Sequence, residues 1–304
     1  MFRRKIGSVG LALGAGGARG LAHVGVLKAL DEMNIKVEAI AGTSMGAIIG
    51  AMFAFFTDYE LIREKLRSYF EQNKQLAKEF KILNKASSRN GRRFSIMNET
   101  VIKIYLCSHL ALRTNILKGD ILSDFINTLI PDADISDSTI PLAVVSFDLT
   151  TGSRVIFTQG SVRRAVLASS SIPGIFPPVE HDGMLLVDGG AISPVPVDAV
   201  KALGAKKVLA VDVSPPPSKS PKIDDGIDIM LRVISGQTKT LKQNELAKAS
   251  FIVTPRIVGI DWWRFEYYRE IENRGYHTAK RVLPKMLGVR RFIDDSSKIR
   301  TRSR

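Results

Sequence analysis

Apolar residues in this chain fall into short runs separated by glycine, proline and charge. The first run, Ile6–Leu13, is short, apolar and ended by glycines, as expected of a buried strand. Leu21–Met33 spaces its apolar residues as a helix does and ends near Asp31 and Glu32. Val37–Thr43 predicts a second strand. Met45–Phe56, rich in small and apolar residues, predicts a helix buried on most sides. Strand–helix–strand–helix at this density implies parallel strands joined by right-handed crossovers.

Further along, Tyr59–Phe70 has the pattern of an amphipathic helix, and a polar, basic stretch over about residues 71–95 is the expected mobile excursion. Gly119–Ile130 predicts a helix. Residues 141–149 and 153–157 predict two strands around the turn "TTG", and Ser161–Ser170 a short helix stopped near Pro173. "MLLVDGG" (184–190) is a strand running into glycines, and "KKVLAVDVS" (206–214) another core strand. "PPPSKSP" (215–221) is a stiff connector. Helices near 226–249 and 264–287 flank a short strand over 250–255. The fold class this predicts is α/β, with three layers (α/β/α) and a mainly parallel central sheet. No internal repeat is visible.

Composition narrows this only slightly. With 304 residues, 45% hydrophobic and 24% charged, the chain has ordinary globular composition. The net charge of +14 draws nucleic acid, anionic lipid or acidic partners without choosing among them, and a solvated basic surface reads equally well. The lone cysteine, Cys107, precludes an intrachain disulfide, and no cysteine–histidine zinc spacing occurs. The start "MFRRKIGSVGLALGAGGA" has some character of a signal peptide, yet it merges into the glycine motif and reads better as a first strand. No run approaches the ~18 apolar residues of a membrane span. A cytoplasmic location is expected.

Three short motifs carry candidate chemistry. "GTSMG" (42–46) fits G-x-S-x-G, with Ser44 at a strand-to-helix junction between Gly42 and Gly46. A serine on so tight a turn has its hydroxyl pushed outward, and side chains two positions away would collide. A purely structural glycine turn reads the same locally. "LGAGGARG" (13–20) can turn several backbone N–H groups toward one point, as an oxyanion hole requires. It can also be a phosphate loop, but the third glycine of G-x-G-x-x-G falls on Arg19. Glu38 stands where a ribose-binding acid could be, so a nucleotide site stays open. In "VDGG" (187–190), Asp188 ends an apolar strand, either as a functional acid or as a turn former. Of four histidines, His23 reads as structural, His109 lies in the middle segment, His181 precedes the turn Asp182-Gly183, and His277 lies in the last helix.

Taken together and in this order, "GAGGARG", "GTSMG" and "VDGG" resemble the patatin-like phospholipases, with "SFDLTTG" and "ASSSIPGIFPPV" in support. The resemblance spans about residues 6–214. It implies a Ser–Asp dyad without histidine, in which Ser44 is the nucleophile and Asp188 its base. Gly16, Gly17 and Ala18 would offer oxyanion amides, with Arg19, Gly42, Gly46 and Gly189 in support. The implied substrate is a lipid ester, cleaved through a covalent acyl-enzyme with no metal or organic cofactor. The basic surface suits reversible contact at an anionic membrane, and the broken glycine register counts against nucleic acid. One departure is Ser193 in "AISPVPV", where many relatives carry asparagine. Residues 1–290 would form one catalytic domain with a lid-like segment at about 57–120, and 291–304 a basic tail. Competing readings are a nucleotide- or nucleic-acid-binding module and a catalytically silent relative. The aromatic cluster "DWWRFEYY" (261–268) either packs on the core or touches membrane.

Overall fold

The computed structural model describes residues 8–73, 113–214 and 223–286. The runs identified above become a mixed, mainly parallel sheet of eight strands. These are β1 (Val9–Leu13), β2 (Val37–Thr43), β3 (Leu142–Asp148), β4 (Ser153–Phe157), β5 (Val179–His181), β6 (Met184–Asp188), β7 (Val208–Val211) and β8 (Phe251–Val253). Their order is β5-β6-β3-β2-β1-β7-β8, with β4 paired to β3. The pairs β1–β2, β1–β7, β2–β3 and β7–β8 are parallel, and β3–β4, β3–β6 and β5–β6 are antiparallel.

Alternation along the strands sorts side chains by size. Leu11, Leu13, Ile40, Val144, Leu209 and Val211 enter one buried cluster, and Ala12, Ala39, Ala41, Ala143 and Ala210 enter the other. The large-residue face is covered by α1 (Ala22–Glu32), α2 (Met45–Phe56), α3 (Tyr59–Gln72), α4 (Gly119–Leu129), α5 (Val162–Ser170) and α8 (Tyr268–Met286). The alanine face lets short α6 (Val197–Ala202) sit close, with the C-terminal end of α7 (Gly226–Leu246) beside it. Each fully buried Leu or Ile contributes roughly 1.5–3 kcal/mol, so the thick layer carries most of the stabilisation.

Helix ends follow local chemistry. Asp58 accepts the N–H groups of Glu60 and Leu61 at the start of α3, and Asp225 accepts that of Asp228 at the start of α7. Of the segment expected to be lid-like, α3 is fixed in place. Its Ile62, Leu66 and Tyr69 are buried, Arg63 pairs with Glu272 at 3.2 Å, and the Tyr69 hydroxyl donates to Asp124 at 3.1 Å. Residues 74–112, with His109 and Cys107, and the tail at 291–304 lie outside the described residues. Two elements were not anticipated, β5 and α6. The first forms a hairpin with β6 across Asp182-Gly183, both at positive φ. Among the described residues no helix is long and apolar enough to cross a membrane.

Candidate active site

Strand β3 brings the motifs together by changing partners along one edge. Residues Leu142–Val145 pair with Ile40–Thr43 of β2, while Ser146–Asp148 pair with Asp188–Leu186 of β6. Because β4 occupies residues 144–148 of β3 on the opposite edge, β2 and β6 must share this one. They run toward each other and meet end to end, Thr43 beside Val145 and Asp188 beside Ser146.

Ser44 is the residue after β2 and the N-cap of α2, with φ 57° and ψ −127°. A non-glycine residue there carries roughly 1–3 kcal/mol of strain, which the surroundings hold in place. The Ser44 N–H donates to Ser169 Oγ at 3.0 Å, and Ser169 Oγ donates to the Val145 carbonyl at 2.6 Å. Thr43 Oγ1 donates to the Ser193 carbonyl at 2.9 Å. The two glycines are sterically required: a Cβ on Gly42 would lie 2.3 Å from the Gly46 carbonyl oxygen, and one on Gly46 2.1 Å from that of Leu13.

Asp188 is 6% exposed. Its N–H donates to the Ser171 carbonyl at 2.9 Å, and its Oδ1 accepts the Gly190 N–H at 2.7 Å. Burial pushes its pKa up to about 6, against the opposing pull of hydrogen bonds from the Ser44 hydroxyl and the Gly190 N–H. Ser44 and Asp188 are therefore in contact, and the carboxylate is a far better proton acceptor than a free aspartate. Gly189 lets the turn pass β3, since a Cβ there would lie 2.4 Å from the Val145 carbonyl oxygen.

The glycine loop follows β1 and leads into a 3-10 turn at Gly17–Leu21. Gly17 has φ +54° and lies against the Trp262 carbonyl, so only glycine fits. The Ala18 N–H donates to that carbonyl at 2.6 Å. This corrects the expectation that Ala18 offers an oxyanion amide: its donor is already used. The N–H groups of Gly16 and Gly17 have no partner among the described residues. Fully buried His23 braces the loop, its Nε2 2.8 Å from the Gly14 carbonyl, and burial lowers its pKa to about 4. It is neutral at physiological pH and donates that bond. Arg19, in the same turn, is half-buried, with its Nε shielded from solvent. Desolvation lowers its pKa, while Asp261 and Asp212 oppose the shift.

A cavity of about 40 Å³ lies over the serine, walled by Gly17, Ser44, Ile48, Phe125, Trp262 and Phe265 among others. Ser170 lines it too, with a buried hydroxyl that has no partner among the described residues. A larger cleft of about 780 Å³ contains neither Ser44 nor Asp188, but Leu122 and Phe176 line both spaces and separate them. The small cavity is the one beside Ser44.

The motif order implied a patatin-like chain, and comparison with known proteins agrees with that family. The family model for patatin-like phospholipases matches residues 11–201, more than half of the chain. The chain belongs to the patatin-like phospholipase family. It is 34% identical over 208 residues to patatin-like phospholipase domain-containing protein 7 of Rattus norvegicus, which covers 68% of this chain and 14% of the rat protein. It is 32% identical over 206 residues to an uncharacterized NTE family protein of Mycobacterium bovis, covering 68% of this chain and 49% of that one. The chain thus spans a small part of the mammalian relatives it matches, and about half of the mycobacterial one. VipD from Legionella pneumophila is a more distant structural neighbour, with TM-score 0.45 and 15% identity over 92% of this chain and 67% of that one.

The remaining candidates of this patatin-like chain fall elsewhere. His181 lies on the β5–β6 hairpin, 3.5 Å from Asp182, and His277 is exposed on α8. Neither lines the serine cavity. Glu38 is near the start of β2 and accepts the Ser8 hydroxyl, at the opposite end of the sheet from the glycine loop. It cannot serve a ribose beside that loop, and the nucleotide reading loses its acid. The aromatic cluster packs on the core, with Trp262 and Phe265 walling the cavity. Buried Glu245, near the end of α7, went unremarked in the sequence. It accepts the Ser193 hydroxyl and, at 2.8 Å, the Val195 N–H, and burial raises its pKa. Ser193 and Glu245 together fix the loop whose carbonyl holds Thr43.

Proposed function

We propose that this patatin-like chain is a serine hydrolase of fatty-acyl esters in phospholipids, lysophospholipids or related lipids. The observation that carries the reading is the contact between Ser44, on a strained turn, and Asp188, buried with a pKa of about 6. Family membership supplies the lipid class. Relatives named as phospholipases and as NTE family members favour the same class.

The mechanism follows from the placement. Asp188 takes the proton of Ser44 as Oγ attacks the ester carbonyl. Negative charge builds on the carbonyl oxygen and is met by the Gly16 and Gly17 N–H groups, aided by the positive N-terminal end of α2. The tetrahedral intermediate collapses, the C–O bond to the alcohol breaks, and Asp188 returns the proton to the departing oxygen. Water, deprotonated by Asp188, then attacks the acyl-enzyme. The fatty acid leaves and the proton returns to Ser44. The apolar walls suit an acyl chain. A space of about 40 Å³ holds little beyond the reacting group, so a long chain requires Phe176 or Leu122 to swing and join the neighbouring cleft.

The test is covalent labelling. A fluorophosphonate should modify Ser44, identified by peptide mass, and Asp188→Asn should slow labelling and p-nitrophenyl ester turnover together. A folded protein that takes no label at Ser44 would be a catalytically silent relative, and the hydrolase reading would be wrong.

A further inference from the structure

Three serines follow one another at the end of α5, and two of them have fixed partners. Ser169 Oγ donates to the Val145 carbonyl at 2.6 Å and accepts the Ser44 N–H at 3.0 Å. Ser171 Oγ donates to the Leu167 carbonyl at 2.9 Å, the back-bond open to a serine near a helix end. Ser170, between them, is 5% exposed, and its hydroxyl bonds to nothing among the described residues. A buried hydroxyl left unpaired destabilises a fold where an alanine would not.

Four buried polar atoms lack a partner among the described residues: Arg19 Nε, His23 Nδ1, Ser146 Oγ and Ser170 Oγ. Of these four residues, only Ser170 walls the cavity over Ser44. Its place there follows from its neighbours in the chain. Ser169 holds the Ser44 N–H, and the Ser171 carbonyl holds the Asp188 N–H at 2.9 Å. Ser170 is thereby fixed beside both residues, while Gly17 belongs to the wall contributed by the glycine loop. The space of about 40 Å³ is large enough to admit a water.

We infer that the Ser170 hydroxyl is a third catalytic group, which donates a hydrogen bond to the alkoxy oxygen of the ester as it departs and then holds the water that replaces it. The inference rests on the hydrolase reading. Two substrate oxygens need a donor in that reaction. The carbonyl oxygen is met by Gly16 and Gly17. The alkoxy oxygen leaves with a proton from Asp188, and the water gives a proton to Asp188, so both occupy one place beside the carboxylate. A serine hydroxyl suits both, having one O–H to donate and lone pairs to offer a water. Through both steps Ser170 keeps its own proton: the C–O bond breaks, and the proton that moves is the one carried by Asp188. An ester's alkoxy oxygen is a poor acceptor until that bond begins to break, so the contact strengthens in the transition state.

Ser170→Ala and Ser170→Cys in the full chain test this on p-nitrophenyl butyrate and ethyl butyrate. Ser170→Ala should lower kcat roughly tenfold, the worth of one hydrogen bond, with KM little changed. The loss should be larger on ethyl butyrate, whose departing alkoxide is far more basic than p-nitrophenolate. Ser170→Cys, close in size but a weak donor, should fall between parent and alanine. The melting temperature of Ser170→Ala should hold or rise, because the unpaired hydroxyl is gone, whereas loss of a structural serine would lower it. Labelling of Ser44 by a fluorophosphonate, in which fluoride leaves and no water attacks, should slow far less than turnover. Turnover equal to that of the parent would overturn the inference. So would a loss that tracks a lowered melting temperature, or labelling and turnover reduced alike. A parent chain that takes no label and turns over neither ester fails as a hydrolase, and the inference falls with it.

Discussion

Two apolar helical segments of this chain have opposite fates. α2 is buried nearly throughout, and Ile48 is 1% exposed. The start of α7 is equally rich in Ile, Leu, Met and Val, yet Met230 is 65% exposed. What differs is the residues in between. α2 alternates its large side chains with Gly46, Ala47, Gly50, Ala51 and Ala54, which let backbone and side chains of β1 and β2 approach. α7 alternates its own with Asp228 and Arg232 and offers no small face. An apolar run states that water is unfavourable. Small residues beside it state that the cover is the chain itself.

The largest expected effects fall at the N-terminus of α2. Ser44→Ala should lower ester turnover on the order of 10⁴-fold or more with the fold intact by circular dichroism, and residual turnover near that of the parent would remove α2 from the chemistry. Asp188→Asn should cost about 10³–10⁴-fold in kcat, measured on the same ester. Next comes packing. Ile48→Ala should destabilise by about 2–5 kcal/mol in urea unfolding, and a loss under about 1 kcal/mol would mean that α2 is less well covered than described.

The pH dependence has a definite sign. Asp188 is raised from 3.8 to about 6 in the folded state. The native protein therefore holds this proton more tightly than the unfolded chain between those values. Stability from this group is highest below the lower value, falls as pH rises toward about 6, and stays reduced above it by roughly 3 kcal/mol. Turnover moves the other way, rising through an apparent pKa near 6 as the base ionises. Asp188→Asn should flatten that part of the stability profile, followed by thermal unfolding across the same range.

Smaller effects sharpen the contrast. Ser44→Gly relieves the positive φ and should stabilise by roughly 1 kcal/mol while abolishing turnover, a gain that calorimetry would detect and that Ser44→Ala should not give. Leu231→Ala should change stability in water by under about 0.5 kcal/mol, an order of magnitude below Ile48→Ala.

Much of this was legible in the chain. Val37–Thr43, Met45–Phe56 and Ser153–Phe157 have the ends their patterns predict, because glycine, serine and turn residues punctuate them. β5 is three residues long, too short for alternation to register, and exists because β6 offers an edge. α6 is six residues beside prolines and gains its stability from the alanine face rather than from its own pattern. At the candidate site, the glycines around Ser44 and Asp188 left a structural turn open at each position, and only the family resemblance paired the two. The loss of the Ala18 amide was not legible, because Trp262 arrives from a distant part of the chain. Glu245 gave no local sign, since its burial depends on a loop fifty positions away. The serine run at the end of α5 was quoted for its resemblance, yet only the fold shows Ser169 holding the Ser44 amide.

The exchange of partners along β3 turns the sheet into a ruler. Ser44 and Asp188 are spaced by strand register, so chain added between α2 and β3 lengthens a loop without moving either residue. A slip of the β5–β6 hairpin by a single position would instead point the Asp188 carboxylate to the other face. This architecture ties the hairpin rigidly to its place.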